Sequence, residues 1–491
     1  MKFMLLLLLS GCSEKLPVDA EGDTKTDSGE AQTHSTPETD TPDPADTGSA
    51  TESDSGTTDP HGVDYRSATW CSECHPTQFA EWEQSMHRYA AHSPVFDQMT
   101  AKAVRDTAGA TGTFCTGCHS PLGTMDGEPG TTTAAERSDI SLEGVTCVVC
   151  HQAVAHEQPI GNTSLVFDFE APIQGPFEGI PNPGHLSVKG DLISTPELCG
   201  SCHDVFNFPG LRIEEAYTEY LNSPSAEIGQ RCQDCHMSPN PGKSAERAMG
   251  PAAVVEGMSF PDRELSSHRF VGPDYSLLDT FPYADDPAAS LVAQEEMLTQ
   301  IQLLLENAVH ITDLLLEEDA EAATLTVVVE NKTRGHNVPT GFTSERQLWL
   351  HVAVIDGEET VWESGNLDTQ SDLRDELSWD VISGDAPLDE QLVNFQSQNL
   401  LRVGDVAIAS PEVHETMFPF DADYIVRRSL APLEVRTLQY TLPPMSDSAR
   451  IEVALRYRNL PPYILRALQL DDLVERLQIF TIDEATLGGG E

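Results

Sequence analysis

Apolar and polar positions divide the 491 residues into stretches of different kind. Behind Lys2, residues 3–9 are a short apolar run. From 13 to about 63 apolar side chains almost vanish, and Asp, Glu, Thr, Ser, Pro and Gly replace them. Such a stretch buries too little surface to offset its ordering entropy and reads as a disordered acidic linker. After Pro76-Thr77, Phe79, Trp82, Met86 and Tyr89 recur three or four residues apart, which predicts one helix with Trp82 and Met86 packed inward. Residues 214–221 repeat the pattern weakly. Asp286-Pro287 supplies an N-cap and a first-turn proline for a helix to about Ala308, with Leu291, Met297, Leu298, Ile301, Leu304 and Leu305 as its apolar stripe. Beyond it, 309–316, 325–330, 348–355, 360–363, 401–408, 435–442 and 451–457 are rich in β-branched residues, with turns at 318–323 and 356–359. About seven strands predict an antiparallel β-sandwich. The expectation is an α + β chain: a signal peptide over 1–12, a linker over 13–63, a loop-rich, short-helix region over 64–285, a connecting helix over 286–308 and a β-sandwich over 309–491.

Cysteine spacing changes this picture most. Eleven cysteines are present, and ten lie in five identical pentads. These are Cys71-Ser-Glu-Cys74-His75, Cys115-Thr-Gly-Cys118-His119, Cys147-Val-Val-Cys150-His151, Cys199-Gly-Ser-Cys202-His203 and Cys232-Gln-Asp-Cys235-His236. Two thiols so spaced reach the two vinyl groups of one porphyrin, and the next residue then sits under the iron. Zinc ribbons and redox dithiols also use paired Cys-x-x-Cys, but neither requires the histidine that follows all five times. The motifs therefore predict five covalently bound haem c groups, with His75, His119, His151, His203 and His236 as proximal iron ligands. They begin 44, 32, 52 and 33 residues apart, so the core of 64–285 is expected to be porphyrin packed by short helices, with little room for a sheet.

The eleventh cysteine closes Leu9-Ser10-Gly11-Cys12. Residues 3–9 are too short to span a bilayer and read as the core of an export signal. The tetrapeptide resembles the lipobox of bacterial lipoproteins, which implies cleavage before Cys12 and its lipidation. The alternative is an ordinary signal peptide. Ser13 at the next position is, in well-studied lipoproteins, permissive for the outer membrane. The expected location is the cell envelope, on the periplasmic face or at the outer membrane.

The formal charge of −52 argues against nucleic acid as a partner. It suits cationic partners such as a basic cytochrome, or serves solubility and salt tolerance. A quinone-linked membrane complex is a further candidate redox partner.

A haem with one protein ligand can bind small molecules, whereas two strong ligands close it for electron transfer. Of sixteen histidines, five are proximal, and His34 and His61 lie in or beside the linker. The distal candidates are His87, His185, His268, His336 and His156, with His92 as a further reserve. His336 sits in Arg334-Gly-His336-Asn-Val-Pro339-Thr-Gly341, a loop between two strands. His351 alternates within a strand and reads as structural, while His310 and His414 stay open. Taken singly, each candidate is more often a surface or core histidine than a ligand.

The segment 70–96, with its first pentad, Trp82-x-x-Ser85-x-His87 and Ser93-Pro-Val-Phe96, resembles exported multihaem c-type cytochromes related to the tetrahaem partner of hydroxylamine oxidoreductase. Leu198 to Asp204, Cys232-x-x-Cys-His-Met237, Ser267-His268-Arg-Phe270, and Gly335 to Gly341 followed by Arg346 and Trp349 fit the same resemblance. It implies bis-histidine ligation with His87, His185, His268 and His336 as distal ligands, and closely stacked haem pairs. No Cys-x-x-Cys-Lys is present, so the lysine-ligated catalytic haem of pentahaem nitrite reductase is missing. No catalytic residue is assigned. The expectation is a lipid-anchored electron carrier, more a carrier than an enzyme, with five low-spin haems. The alternative is a haem-dependent oxidoreductase of small nitrogen compounds with one open haem, the second or third being the most suspect.

Overall fold

A computed structural model describes residues 64–182, 184–208, 210–318, 322–403 and 412–488. The export signal, Cys12, the linker, His34 and His61 lie outside the described residues, as do parts of the 318–323 turn and the 401–408 strand.

The cysteine-rich part is built from short helices, several opened by proline at the first turn. The helix expected from Phe79 to Tyr89 is two helices, Pro76–Glu83 and Met86–Tyr89, broken at an extended Ser85. Val145 holds the break. Its carbonyl accepts from Trp82 Nε1 at 2.8 Å, and its N–H donates to the His87 carbonyl at 2.9 Å. The preceding Gly144 has φ +62°, and a Cβ there would lie 2.5 Å from the His87 carbonyl oxygen, so only glycine fits this crossing. Pro94–Asp106 follows, with Ser93 Oγ accepting from Phe96 N. The weak 214–221 pattern is a helix at Ala216–Leu221. Sheet here is confined to two-stranded ribbons: Ala153–His156 with Leu165–Phe167, Ile173–Gly175 with Ser187–Lys189, Val205–Phe206 with Arg212–Glu214, and Met249–Pro251 with Asp262–Glu264.

Pro287–Ala308 is a 22-residue helix whose Asp286 cap accepts from Ala289 N at 3.0 Å. Its buried face is Ser290, Ala293, Met297, Ile301, Leu304 and Leu305. Leu291, expected in the stripe, is 55% exposed. Counting back from Met297 in steps of four and three reaches Ala293 and Ser290, so small residues complete the stripe and Leu291 falls beside it.

The C-terminal strands are β1 (Val309–Glu318), β2 (Ala323–Asn331), β3 (Gln347–Asp356), β4 (Glu359–Ser364), β5 (Gln398–Val403), β6 (Glu412–Thr416), β7 (Tyr424–Val426), β8 (Val435–Leu442), β9 (Arg450–Arg458) and β10 (Phe480–Gly488). They form antiparallel sheets in the orders β8-β2-β1, β4-β3-β9-β10 and β6-β5-β7. The seven predicted strands are present; β6, β7 and β10 are additional. β7 has three residues, and in β10 only Phe480 and Ile482 are buried before polar residues take over, which gives little apolar signal.

Alternate residues of β2 (Leu325, Val327, Val329) share one apolar cluster with Leu348, Leu350, Val352 and Val354 of β3 and with Ile451, Val453 and Leu455 of β9. The 287–308 helix joins this cluster, and so do Val271, Tyr275 and Leu277 from the cysteine-rich part. The two parts therefore belong to one compact unit. Further ties cross between them: Asn207 Nδ2 donates to the Ala422 carbonyl at 2.8 Å, and Lys102 Nζ lies 4.5 Å from the Phe418 ring centre.

Candidate cofactor-binding site

Each pentad occupies about one helical turn, because positions i, i+3 and i+4 of a helix lie on one face. Cys71 and the N-cap His75 lie on successive short helices, and Thr116–His119, Cys147–His151 and Cys232–His236 are single turns. The fourth motif starts in Pro196–Gly200 and finishes just beyond it. None of the ten motif cysteines is paired in a disulfide. Among the described residues no three Cys, His, Asp or Glu side chains converge as zinc ligands would.

One continuous cavity of about 1770 Å³ is lined by all ten motif cysteines, all five motif histidines, and His87, His185, His268 and His336. The lining is chiefly apolar, including Val148, Leu165, Leu198, Tyr217 and Phe270. Such walls suit the flat apolar faces of porphyrins.

Four motif histidines face a second histidine across this space. The ring centres are 6.2 Å apart for His75 and His185, 6.4 Å for His203 and His87, 6.4 Å for His151 and His268, and 6.0 Å for His236 and His336. An iron bonded to one nitrogen of each of two imidazoles, with bonds of about 2.0 Å, sets ring centres roughly 6 Å apart. The gaps therefore fit a bis-histidine iron.

His119 differs. Its ring stacks on Phe96 with centres 4.1 Å apart and planes 9° apart, and no ring contact among the described residues joins it to another histidine.

Of the remaining described histidines, His310 also lines the cavity, and the others do not. His156 does not line the cavity; it is in the Ala153–His156 ribbon with Nδ1 3.1 Å from the Glu157 carbonyl. The structure thus places this distal candidate on a ribbon, outside the lining that holds the motifs. His92 is also outside the cavity lining and packs 5.6 Å from the Phe281 ring. His310 lies 3.3 Å from Asp483, and His351 lies 3.7 Å from Glu363 within the sheets.

Backbone carbonyls orient most of these rings. Nδ1 lies 2.7 Å from the Ala252 oxygen in His75, 3.4 Å from Ala90 in His119, 2.6 Å from Gln174 in His151 and 3.2 Å from Val271 in His236. On the facing side it lies 3.2 Å from Leu186 in His185, 3.0 Å from Ser266 in His268 and 2.8 Å from Asn337 in His336. An Nδ1–H donated to a carbonyl leaves the Nε2 lone pair free for a metal. His203 and His87, which face each other, are the exceptions: His203 Nδ1 has a carboxylate oxygen of Glu214 at 4.0 Å, and no backbone carbonyl among the described residues holds the His87 ring. Burial pushes the imidazole of His87 down to about 3 and those of His119, His203, His236 and His268 down to about 4. All are neutral at pH 7, the form that binds iron.

Thiols of different motifs also adjoin. Cys71 meets Cys147, Cys118 meets Cys202, and Cys199 meets Cys232. Cys150 is a near neighbour of Cys199 and Cys202. Motifs one and three, two and four, and four and five are therefore neighbours, with three beside four. The contacts of motif one with three and of two with four do not follow from the order of the motifs along the chain, and the orienting carbonyls carry no side-chain signal at all. Phe96 was visible in sequence as part of Ser93-Pro-Val-Phe96, but not its stacking.

A family model described as cytochrome c554 and c-prime matches residues 70–152, the segment with the first three motifs and His87. Among solved structures, the chain is similar to a penta-heme cytochrome c552 from Thermochromatium tepidum. The TM-score is 0.56 at 19% identity, over 86% of this chain and 99% of that one. No curated protein matches.

Proposed function

Taking the chain as a multihaem c-type cytochrome, we propose that it is an exported electron-transfer protein holding five haem c groups, four of them between histidine pairs. The observation that carries this reading is the set of four facing imidazole pairs at 6.0 to 6.4 Å. Bound haem supplies one-electron chemistry at iron. The chain's own part is to fix the irons. Motif cysteines would tether each haem and motif histidines would each hold its iron, while His185, His268, His87 and His336 would supply a second imidazole at motifs one, three, four and five. At motifs one, three and five, carbonyls on Nδ1 hold both rings of each pair in register, so little has to move on oxidation or reduction. The thiol neighbours support a path from motif one through three and four to five, with motif two joined at four.

In this reading the two sheets that share the β2, β3 and β9 cluster form a sandwich, and its task is to deliver His336. Cys12 carries lipid, and the acidic 13–63 linker lets the haem region reach cationic or quinone-linked redox partners from the envelope. Among the described residues no helix is long and apolar enough to cross a membrane.

A second reading has its own observation, the stacking of Phe96 on His119 with no second histidine ring in contact with it among the described residues. An iron held there by one imidazole is open to a small ligand, which would suit reduction or oxidation of small nitrogen compounds. Carbon monoxide titration of the reduced protein tests both. One equivalent bound without turnover of nitrite or hydroxylamine supports the carrier. Turnover abolished by cyanide supports the enzyme.

A further inference from the structure

We infer that Glu219 is a positioning residue that locks His336 to the iron of the fifth motif by joining its loop to the segment behind the fourth. The inference rests on the reading of His336 as a ligand.

His336 lies between β2 and β3, and most ties on its loop come from the β region. Asn331 Nδ2 donates to the carbonyls of Leu430 and Ala431 at 3.0 and 2.9 Å and to that of His336 at 3.3 Å. Thr333 Oγ1 donates to the same His336 oxygen at 2.9 Å. Asn337 Nδ2 reaches Ser429 Oγ at 3.1 Å, and Val338 bridges Leu430 in both directions at 2.9 Å. These fix the loop to its own sheet. They do not fix it to His236, which belongs to the other part of the chain.

Glu219 makes that connection. One of its oxygens, Oε2, accepts from Asn337 N at 3.0 Å and from Thr340 Oγ1 at 2.6 Å. It thus brackets the two residues on which the loop turns after His336. Asn337 is shared: its N–H goes to Glu219, and its carbonyl, in the following peptide, takes His336 Nδ1 at 2.8 Å. Displacing Asn337 therefore displaces the oxygen that orients the imidazole. Glu219 itself stands on the Ala216–Leu221 helix, whose Tyr217 N donates to the carbonyl of His203 at 3.0 Å. One short helix therefore holds the backbone of the fourth motif's histidine through Tyr217 and the His336 loop through Glu219, two residues later. Among the described residues, the only other backbone tie of the loop to this segment is Ser225 N to the Arg334 carbonyl at 3.2 Å, on the far side of His336.

A carboxylate in this place calls for a reason. Glu219 Oε1 is buried without a hydrogen-bond partner, and burial raises the group to about 7. A side chain serving only as filler would be apolar there. Two donors aimed at one oxygen give it a geometric task instead.

The test uses full-length holoprotein and reads carbon monoxide bound per chain, the low-spin visible bands and the five midpoint potentials. His336→Ala sets the reference for a fifth motif without its distal ligand. Glu219→Ala is expected to move carbon monoxide uptake from the wild-type value towards that reference and to shift the same single potential. Glu219→Gln, which keeps an acceptor oxygen, should restore wild-type uptake, and Thr340→Val should fall between. Thr340→Val also serves if Glu219→Ala does not mature. If Glu219→Ala and Thr340→Val match wild type while His336→Ala differs, the positioning role is overturned and the ligand reading stands. If His336→Ala itself matches wild type, the ligand reading falls and the inference falls with it.

Discussion

The imidazoles of His236 and His336, a hundred residues apart in sequence, face each other with ring centres 6.0 Å apart and planes inclined by 24°. One stands on a turn of the cysteine-rich part and the other on a loop between two strands. The β region in this way lines the same cavity as the cysteine motifs.

Removal of His336 is therefore expected to convert one haem from low to high spin. His336→Ala should bind one more equivalent of carbon monoxide than the wild-type protein. The other low-spin bands should persist, because the remaining three pairs draw on no β-region residue. Near-infrared and visible spectroscopy of the purified variant checks this.

His156→Ala and His92→Ala should leave the haem spectrum and carbon monoxide uptake unchanged, since neither residue lines the cavity. A new high-spin band in either variant would contradict the assignment of distal ligands.

Gly144→Ala is expected to destabilise the protein and disturb one haem. The added Cβ would lie 2.5 Å from the His87 carbonyl oxygen and 2.9 Å from that of Arg88, at a backbone φ of +62°. Strain of this kind costs about 1–3 kcal/mol. Because His87 faces His203, part of the strain should appear as a weakened low-spin signal at the fourth motif. Thermal melts combined with spectra separate the two effects.

These cases show where the sequence carries information. A Cys-x-x-Cys-His pentad is local, so one helical turn determines which atoms meet, and all five motifs are legible at once. Distal pairing is not local. His87 follows the first motif but faces the proximal histidine of the fourth, and His185 precedes the fourth but faces that of the first. Nearness in sequence points to the wrong partner in both. The strand and helix patterns fared similarly. Strongly alternating β2 was readable, whereas β10 hides two buried side chains ahead of a polar run, and Leu291 lies outside a helix stripe completed by Ser290 and Ala293. Glu219 gave no signal, because its partner is a backbone N–H supplied by a distant loop.

The β region should also show a pH dependence. Burial, and then repulsion from Glu376, raises Glu415 from its ordinary 4.5 to about 7. Burial likewise raises nearby Asp375 to about 7, with Glu415 and Asp372 adding repulsion against the Leu377 N–H that favours the charged form. Within this window the folded protein keeps protons that the unfolded chain has released. Raising the pH removes them, so the stability contribution falls from near pH 4.5 to about 7 and is level above. Glu415→Gln, which cannot ionise, should raise Tm at pH 8 relative to wild type by on the order of 2 °C, and by less at pH 5. An equal change at both values would show that Glu415 does not titrate there.

The central claim is that four irons are closed by histidine pairs and the one at His119 is not. Spin counting on the purified, fully oxidised holoprotein by low-temperature magnetic circular dichroism and electron paramagnetic resonance tests it most directly. The account predicts four low-spin bis-histidine haems and one high-spin haem per chain. Five low-spin haems would contradict the open position at His119, and two or more high-spin haems would contradict the histidine pairing.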